Sequence, residues 1–277
     1  MTDWNLRGSM ELLTMLRKRL LITVAAVVIG MGISWNFSAA LLNFVEKPLK
    51  GRTYLSDLKE GLSQGVKDRY PALYDQLELG KDPVSSAKER RLNYATPLEP
   101  FFIQCKISMI AGLFLVLPVV FYQLWLLIGP LVGMKAGRLV LPFVTVSTFS
   151  FCVGALFFLT LIWPVIINFS LSYEAQGLQS WFNLSEYINF CLRLILVFGL
   201  IFELPVISLL LTRLGIVTHA LLARNRKYAL LASAVVAAFH ADLVTMFVVM
   251  APLYTMYEVS VWTALFFGRK EAAASAA

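Results

Sequence analysis

Apolar residues gather in long uninterrupted runs rather than alternating with polar ones. Residues 20–42, 107–128, 139–163 and 188–212 are such runs, each longer than the ~20 apolar residues that carry a helix across a bilayer. A last apolar block is divided into residues 229–239 and 243–267 by His240, Ala241 and Asp242. The first arm is short for a crossing, so the pair is expected to form a short helical hairpin, Asp242 at its tip, in a thin or pinched bilayer. The pattern predicts an all-α integral membrane protein, six transmembrane helices in a single membrane domain spanning residues 1–277. Prolines at 118, 142, 205 and 252 fall inside the spans. Each removes a backbone donor and bends its helix, so the bundle should be kinked and concave rather than straight-walled. The run at 20–42 lacks a small-residue cleavage site and is too long for a signal-peptide core, which marks it as a retained anchor.

Residues 43–95 form a long polar loop between the first two spans. Within it Leu55, Leu58, Leu62, Val66, Tyr70, Leu73 and Leu77 recur every three or four positions. That period predicts an amphipathic helix, broken near Pro71 and lying on the outer surface of the bundle.

Composition agrees with lipid as the surrounding medium. The chain is 58% hydrophobic and 15% charged, against about 25% charged in soluble domains. Its net charge of +7 is not gathered into a patch, which argues against a nucleic-acid partner. The basic residues instead mark one side of a membrane. Arg7, Arg17, Lys18 and Arg19 precede the first span, and Lys135 and Arg138 lie between the second and third. Arg213, Arg224, Arg226 and Lys227 lie between the fourth and fifth, and Arg269 and Lys270 follow the sixth. Residues 164–187 contain no Lys or Arg, only Glu174 and Glu186. Cytoplasmic short loops carry the basic excess, so both termini are expected inside, and a long loop such as 43–95 faces outward whatever its charge.

Several chemistries are disfavoured. Cys105, Cys152 and Cys191 all lie in apolar runs without a C-x-x-C pair, which argues against a disulfide framework or a zinc site. His219 and His240 fall on opposite sides, so no metal or other cofactor is expected. Gly61-Leu62-Ser63-Gln64-Gly65 fits G-x-S-x-G. That motif needs a strand before it and a helix after it, and here it lies inside the amphipathic stretch, so the chain is expected not to be an enzyme. The N-x-S sequons at Asn36, Asn168 and Asn183 sit in or beside apolar runs and read as chance.

Ionisable residues inside spans are the sharper signal, because an unpaired charge at mid-bilayer is costly. Glu203 lies near the middle of the fourth span and Glu258 near the middle of the sixth. Lys106 and Arg193 stand near the outer ends of the second and fourth, where their stems can reach the interface. Glu99 and Asp242 lie at the outer interface, and the plain reading of these last four is anchoring. A proton- or ion-coupled transporter using Glu203 is a competing reading, although internal repeats and interrupted helices, usual in such proteins, are not evident in the sequence.

The order of these features resembles the TatC family, the multi-span subunit of the twin-arginine protein translocase. Leu16-Arg17-Lys18-Arg19-Leu20-Leu21 is similar to the end of the family's N-terminal motif, and Pro97-Leu98-Glu99-Pro100-Phe101 with Lys106 to its entry into the second helix. Pro118-Val119-Val120-Phe121-Tyr122-Gln123-Leu124-Trp125 with Pro130 is similar to the end of that helix. Phe198-Gly199 and Phe202-Glu203-Leu204-Pro205-Val206 resemble its intramembrane glutamate signature, and Asp242, Ala251-Pro252-Leu253 and Tyr257-Glu258 its closing hairpin. The resemblance covers nearly the whole chain. It implies a component of the bacterial cytoplasmic (inner) membrane that binds twin-arginine signal peptides of folded cargo and organises their export. The implied partners are single-span TatA/TatB-type subunits and lipid, with homo-oligomers allowed. Glu203, Glu258, Asp242, Glu99 and Lys106 are the candidate intramembrane or partner-contact residues. The recognition signature departs from the family: the expected acids fall at Met15 and Ala136, leaving Arg17 and, four residues before Met15 on the same helical face, Glu11 as candidates for signal-peptide recognition.

Overall fold

A computed structural model describes residues 2–50, 92–131, 140–172, 181–213, 215–238 and 243–267. Helix α1 (Thr2–Ser34) passes through a tight turn, Trp35–Phe37, into α2 (Ser38–Glu46) and a second tight turn, Lys47–Lys50. Helix α3 runs Glu99–Leu131, and α4 (Val140–Phe157) continues through a widened π turn, Phe158–Ile162, into α5 (Trp163–Ser172). Helices α6 (Leu184–Phe202), α7 (Leu204–Arg213), α8 (His219–Arg224), α9 (Arg226–Ala237) and α10 (Leu243–Phe267) complete the described bundle. Among the described residues there is no strand, only an isolated parallel bridge between Asn93 and Asn183.

Among the described residues, four stretches are long and apolar enough to cross a membrane: Thr14–Leu49, Glu99–Leu127, Val140–Leu171 and Leu184–Thr212. They contain or overlap the four long runs of the sequence. Helices α9 and α10 occupy the two arms of the expected hairpin, but Asp242 and the turn itself lie outside the described residues. So do the amphipathic stripe with Pro71, the Gly61–Gly65 motif, and the loop carrying Lys135, Ala136 and Arg138.

The surface is apolar where a soluble protein would be polar. Val28, Ile29 and Phe149 are 62%, 65% and 71% exposed on α1 and α4. Lipid tails satisfy such side chains as well as a protein interior does, so burial is not what holds these helices together. Close backbone approach does that work. A Cβ on Gly30 would stand 2.6 Å from the carbonyl oxygen of Gly112, and one on Gly112 would stand 2.4 Å from the amide nitrogen of Met31. Only hydrogen fits at this α1–α3 crossing, as in small-residue contacts between membrane helices. A second crossing joins α4 to α6, where Gly154 faces the Phe198 carbonyl and the Phe202 ring, and Gly199 receives the ring of Phe151. Phe158, Ile188, Cys191 and Phe198 form the most enclosed part of the core.

The fourth apolar run differs from the expected single helix. It is interrupted at Glu203, between α6 and α7. Pro205 has no N–H and its ring crowds the preceding turn. Beside this break the Phe202 carbonyl accepts the Ser150 hydroxyl of α4 at 2.6 Å. Pro118 interrupts nothing: α3 continues through it.

Candidate functional site

At the end of the bundle where α3 and α6 begin, Glu99 acts as a clamp. Thr96-Pro97-Leu98-Glu99 has the spacing of a capping box with proline at the first helical position. The Glu99 Oε2 accepts the N–H groups of Ala95 at 2.8 Å and Thr96 at 3.3 Å. Its Oε1 accepts the Ser185 N–H at 2.9 Å, a donor shared with Oδ1 of Asn183, the cap residue of α6. One buried carboxylate thus ties the starts of two helices. Asn93 adds two backbone bonds across the same junction, to Phe182 and Leu184. Lys106 donates to Asn189 Oδ1 at 2.9 Å, joining α3 to α6 one to two turns farther along. Arg193 is exposed on α6. Asn183 was legible only as a chance sequon; its capping role follows from an Asn three residues ahead of a Glu before an apolar run.

The clamp gives a direct expectation. Glu99→Ala removes three acceptor contacts and should lower the thermal midpoint of the detergent-solubilised protein, while Glu99→Gln, which keeps one oxygen, should lower it less. Equal midpoints for wild type and Glu99→Ala would show that the clamp contributes nothing.

Glu203 sits at the α6–α7 break, 3% exposed. The Ser147 hydroxyl of α4 is the polar side chain close enough to influence its carboxyl. The two do not complete a hydrogen bond: Glu203 Oε1 and Ser147 Oγ are both buried without a partner, as are Thr148 Oγ1 and Trp125 Nε1. A buried polar atom left open costs about 1–3 kcal/mol, so two unmet groups side by side mark a place where a polar group from outside would be gained.

Glu258, read as a mid-span acid, is held by two partners. Its Oε2 pairs with Arg226 Nη2 of α9 at 3.0 Å, and its Oε1 accepts the Tyr254 hydroxyl at 2.9 Å. Tyr257 donates to the Leu222 carbonyl of α8 at 2.7 Å. Together these latch α10 to the start of α9. Arg226 is half-exposed, so the pair is expected to contribute about 0.2–1 kcal/mol. Replacing Glu258 with Gln should therefore shift the melting midpoint only slightly, and exchanging the two charges (Arg226→Glu with Glu258→Arg) should restore it; a double exchange worse than the sum of its singles would argue against the pairing.

On α1, Met15, Leu16, Arg17 and Lys18 are exposed, and Arg19 donates to Gln123 Oε1 of α3 at 3.2 Å. Glu11 lies within the same helix. The structure therefore brings Glu203 to α4, Glu258 to Arg226, and Glu99 and Lys106 to α6, as separate sites rather than one. Among the described residues, no three His, Cys, Asp or Glu side chains lie together as a metal site would need.

The apolar exterior, the glycine crossings and the four long apolar stretches define a helical membrane protein, with a buried acid at the break in one of them. Comparison with known proteins names the class. The profile of the family described as Sec-independent protein translocase protein (TatC) matches residues 11–252. The TatC of Magnetococcus marinus is 32% identical over 261 residues, covering 94% of this chain and 83% of that protein. The TatC of Desulforapulum autotrophicum is 37% identical over 175 residues, 62% of this chain and 65% of that protein. A crystal structure of the twin arginine translocase receptor TatC superposes with a TM-score of 0.69 at 28% identity, covering 92% of this chain and 98% of that one. The same receptor in DDM gives 0.71, covering 91% and 99%.

The chain belongs to the TatC family. It is a membrane protein, a TatC component of the Sec-independent, twin-arginine protein translocase, and this assignment displaces the ion-coupled transporter reading. The interruption at Glu203, which the sequence reading missed, is a feature that transporters share, but here it lies in a chain aligned with TatC over nearly its whole length.

Proposed function

We propose that the chain is a six-span, multi-pass subunit of the bacterial cytoplasmic membrane, with both termini inside, that gathers single-span TatA/TatB-type subunits and has the place of a twin-arginine signal receptor, its recognition weakened by Met15 and Ala136 at the positions of the family's acids. On this reading α9 and α10 are the fifth and sixth spans, and the end of the bundle carrying Glu99, Asn183 and α2 faces outward. The basic residues between spans support that orientation. The observation that carries the partner-binding part is the open acceptor on Glu203. An intramembrane acid is functional by default; because Glu203 and Ser147 are buried, a hydroxyl or amide on a neighbouring single-span helix would satisfy them only as the helices around Glu203 part to admit it. The related crystal structures are described as a receptor, which supports a recognition role for this chain as well.

The test is complementation. The gene is placed in a bacterial strain lacking its own TatC, and export of a folded fluorescent reporter bearing a twin-arginine signal is measured with and without co-expressed single-span subunits. The same assay is run on the version carrying Met15→Glu and Ala136→Glu, and absence of export by both versions under every combination, from protein that reaches the membrane folded, rejects the reading. Topology is checked separately with single cysteines at positions 135 and 242. An impermeant maleimide added to intact cells should label 242 and not 135, and the reverse pattern overturns the orientation.

A further inference from the structure

A groove of about 510 Å³ lies where α2, α3, α4, the π turn and α6 meet, with Phe44, Ile110, Phe114, Cys152, Leu159 and Ile195 among its walls. It is distinct from the Glu203 site, whose residues do not line it. Its walls are hydrocarbon apart from the Cys152 thiol, and it lies within the stretches long and apolar enough to span a membrane. Two exposed lysines adjoin wall residues of the groove. Lys47 Nζ lies 5.5 Å from the ring centroid of Phe44, itself a wall of the groove. Lys106 is the residue before the wall residue Ile107, and its bond to Asn189 bridges the two flanking helices α3 and α6.

We propose that this groove holds one membrane phospholipid, with an acyl chain among the apolar walls and an anionic headgroup between Lys47 and Lys106. Shape favours a chain over a helix. A helix is about 10 Å across with its side chains and fills roughly 400 Å³ per 5.4 Å turn, so a groove of about 510 Å³ admits only part of a helix's face, whereas a flexible acyl chain can follow the apolar walls along its length. Water is excluded because a bound water needs two to four polar partners and the walls supply almost none. The π turn contributes by presenting Leu159 to the groove; such turns occur frequently at functional sites. Charge selects the headgroup. Lysine attracts phosphate as a point charge, and Glu46, next to Lys47 in the chain, makes a neutral-headed lipid the necessary comparison.

The experiment is native mass spectrometry of the full chain, purified in a maltoside detergent and mixed with equal amounts of dioleoyl phosphatidylglycerol and dioleoyl phosphatidylcholine, which share their chains. One phosphatidylglycerol per protein should be retained at least ten-fold over phosphatidylcholine. The double variant Lys47→Gln, Lys106→Gln, at exposed positions, should lose that preference while still retaining phosphatidylcholine, which reports an intact groove. Ala111→Phe, which fills the groove, should lose retention of both lipids. Equal retention of the two lipids by the wild type, or an unchanged preference in the double variant, overturns the proposal. So does retention of detergent alone. None of these outcomes depends on cargo export, so failure here leaves the translocase reading untouched.

Discussion

Gly112→Ala should be the most damaging single-methyl change in the described bundle. The added Cβ would lie 2.4 Å from the Met31 nitrogen, 2.6 Å from the Gly30 carbonyl carbon and 2.7 Å from the Met31 Cα. All three are backbone atoms, so no side chain can rotate away and α1 as a whole must retreat from α3. Overpacking a tight contact costs about 1–3 kcal/mol, occasionally more, and an unyielding backbone puts this case at about 3 kcal/mol. The retreat would also stretch the Arg19–Gln123 bond near the other end of the same pair. Gly32 supplies the control. It lies on the same helix with nothing within 4 Å of an added Cβ, and Gly→Ala in an open helix position gains about 0.5–1 kcal/mol. Thermal melting of the solubilised protein, followed by the fraction remaining monodisperse, should therefore fall sharply for Gly112→Ala and hold or rise for Gly32→Ala. Similar midpoints for the two variants would mean that α1 and α3 are not packed glycine to glycine.

That contact was invisible in the sequence, and the reason is instructive. Glycines 30 and 112 stand in different spans, and nothing in an apolar run says which of its faces meets which neighbour. The runs themselves were legible, because a helix in lipid must satisfy its own backbone and therefore declares its length. Proline was legible as a disturbance but not in degree. Pro118 is absorbed within α3, whereas Pro205 accompanies a full break at Glu203, beside which the Phe202 carbonyl accepts the Ser150 hydroxyl. The acids divide in the same way. Glu203 and Glu258 looked equivalent as mid-span carboxyls, and only the fold distinguishes a buried group with an open oxygen from one held by Arg226 and Tyr254. Glu99 read as an anchor at the interface. Its spacing from Thr96 is that of a capping box, a local signal the sequence reading did not use, and the third contact, to Ser185, joins helices 86 positions apart in the chain and could not be read from local pattern.

Twin-arginine signal peptides are expected to bind this chain weakly or not at all. The signal presents two fixed positive charges, and guanidinium is best met by a carboxylate in bidentate geometry. At the family's two acid positions this sequence has Met15 and Ala136, the latter flanked by Lys135 and Arg138. Met15 is 41% exposed on α1, with Arg17 and Lys18 exposed beside it, so this surface offers the signal a methionine and like charges. Each lost charge-assisted hydrogen bond removes about 1.5–3 kcal/mol, a loss of roughly 10- to 150-fold per contact at ~1.4 kcal/mol per decade. Glu11 lies one helical turn before Met15 and can recover part of this loss only where its carboxylate reaches the same face. Restoring the acids with Met15→Glu and Ala136→Glu should raise crosslinking of a signal peptide by about that factor per position, and Glu11→Gln should abolish whatever binding the unmodified chain retains. The measurement is photo-crosslinking of one signal peptide to each version at matched membrane abundance, repeated with both signal arginines changed to lysine. Strong crosslinking to the unmodified chain that requires both arginines and survives Glu11→Gln would place the recognition surface somewhere other than α1 and the basic segment between α3 and α4.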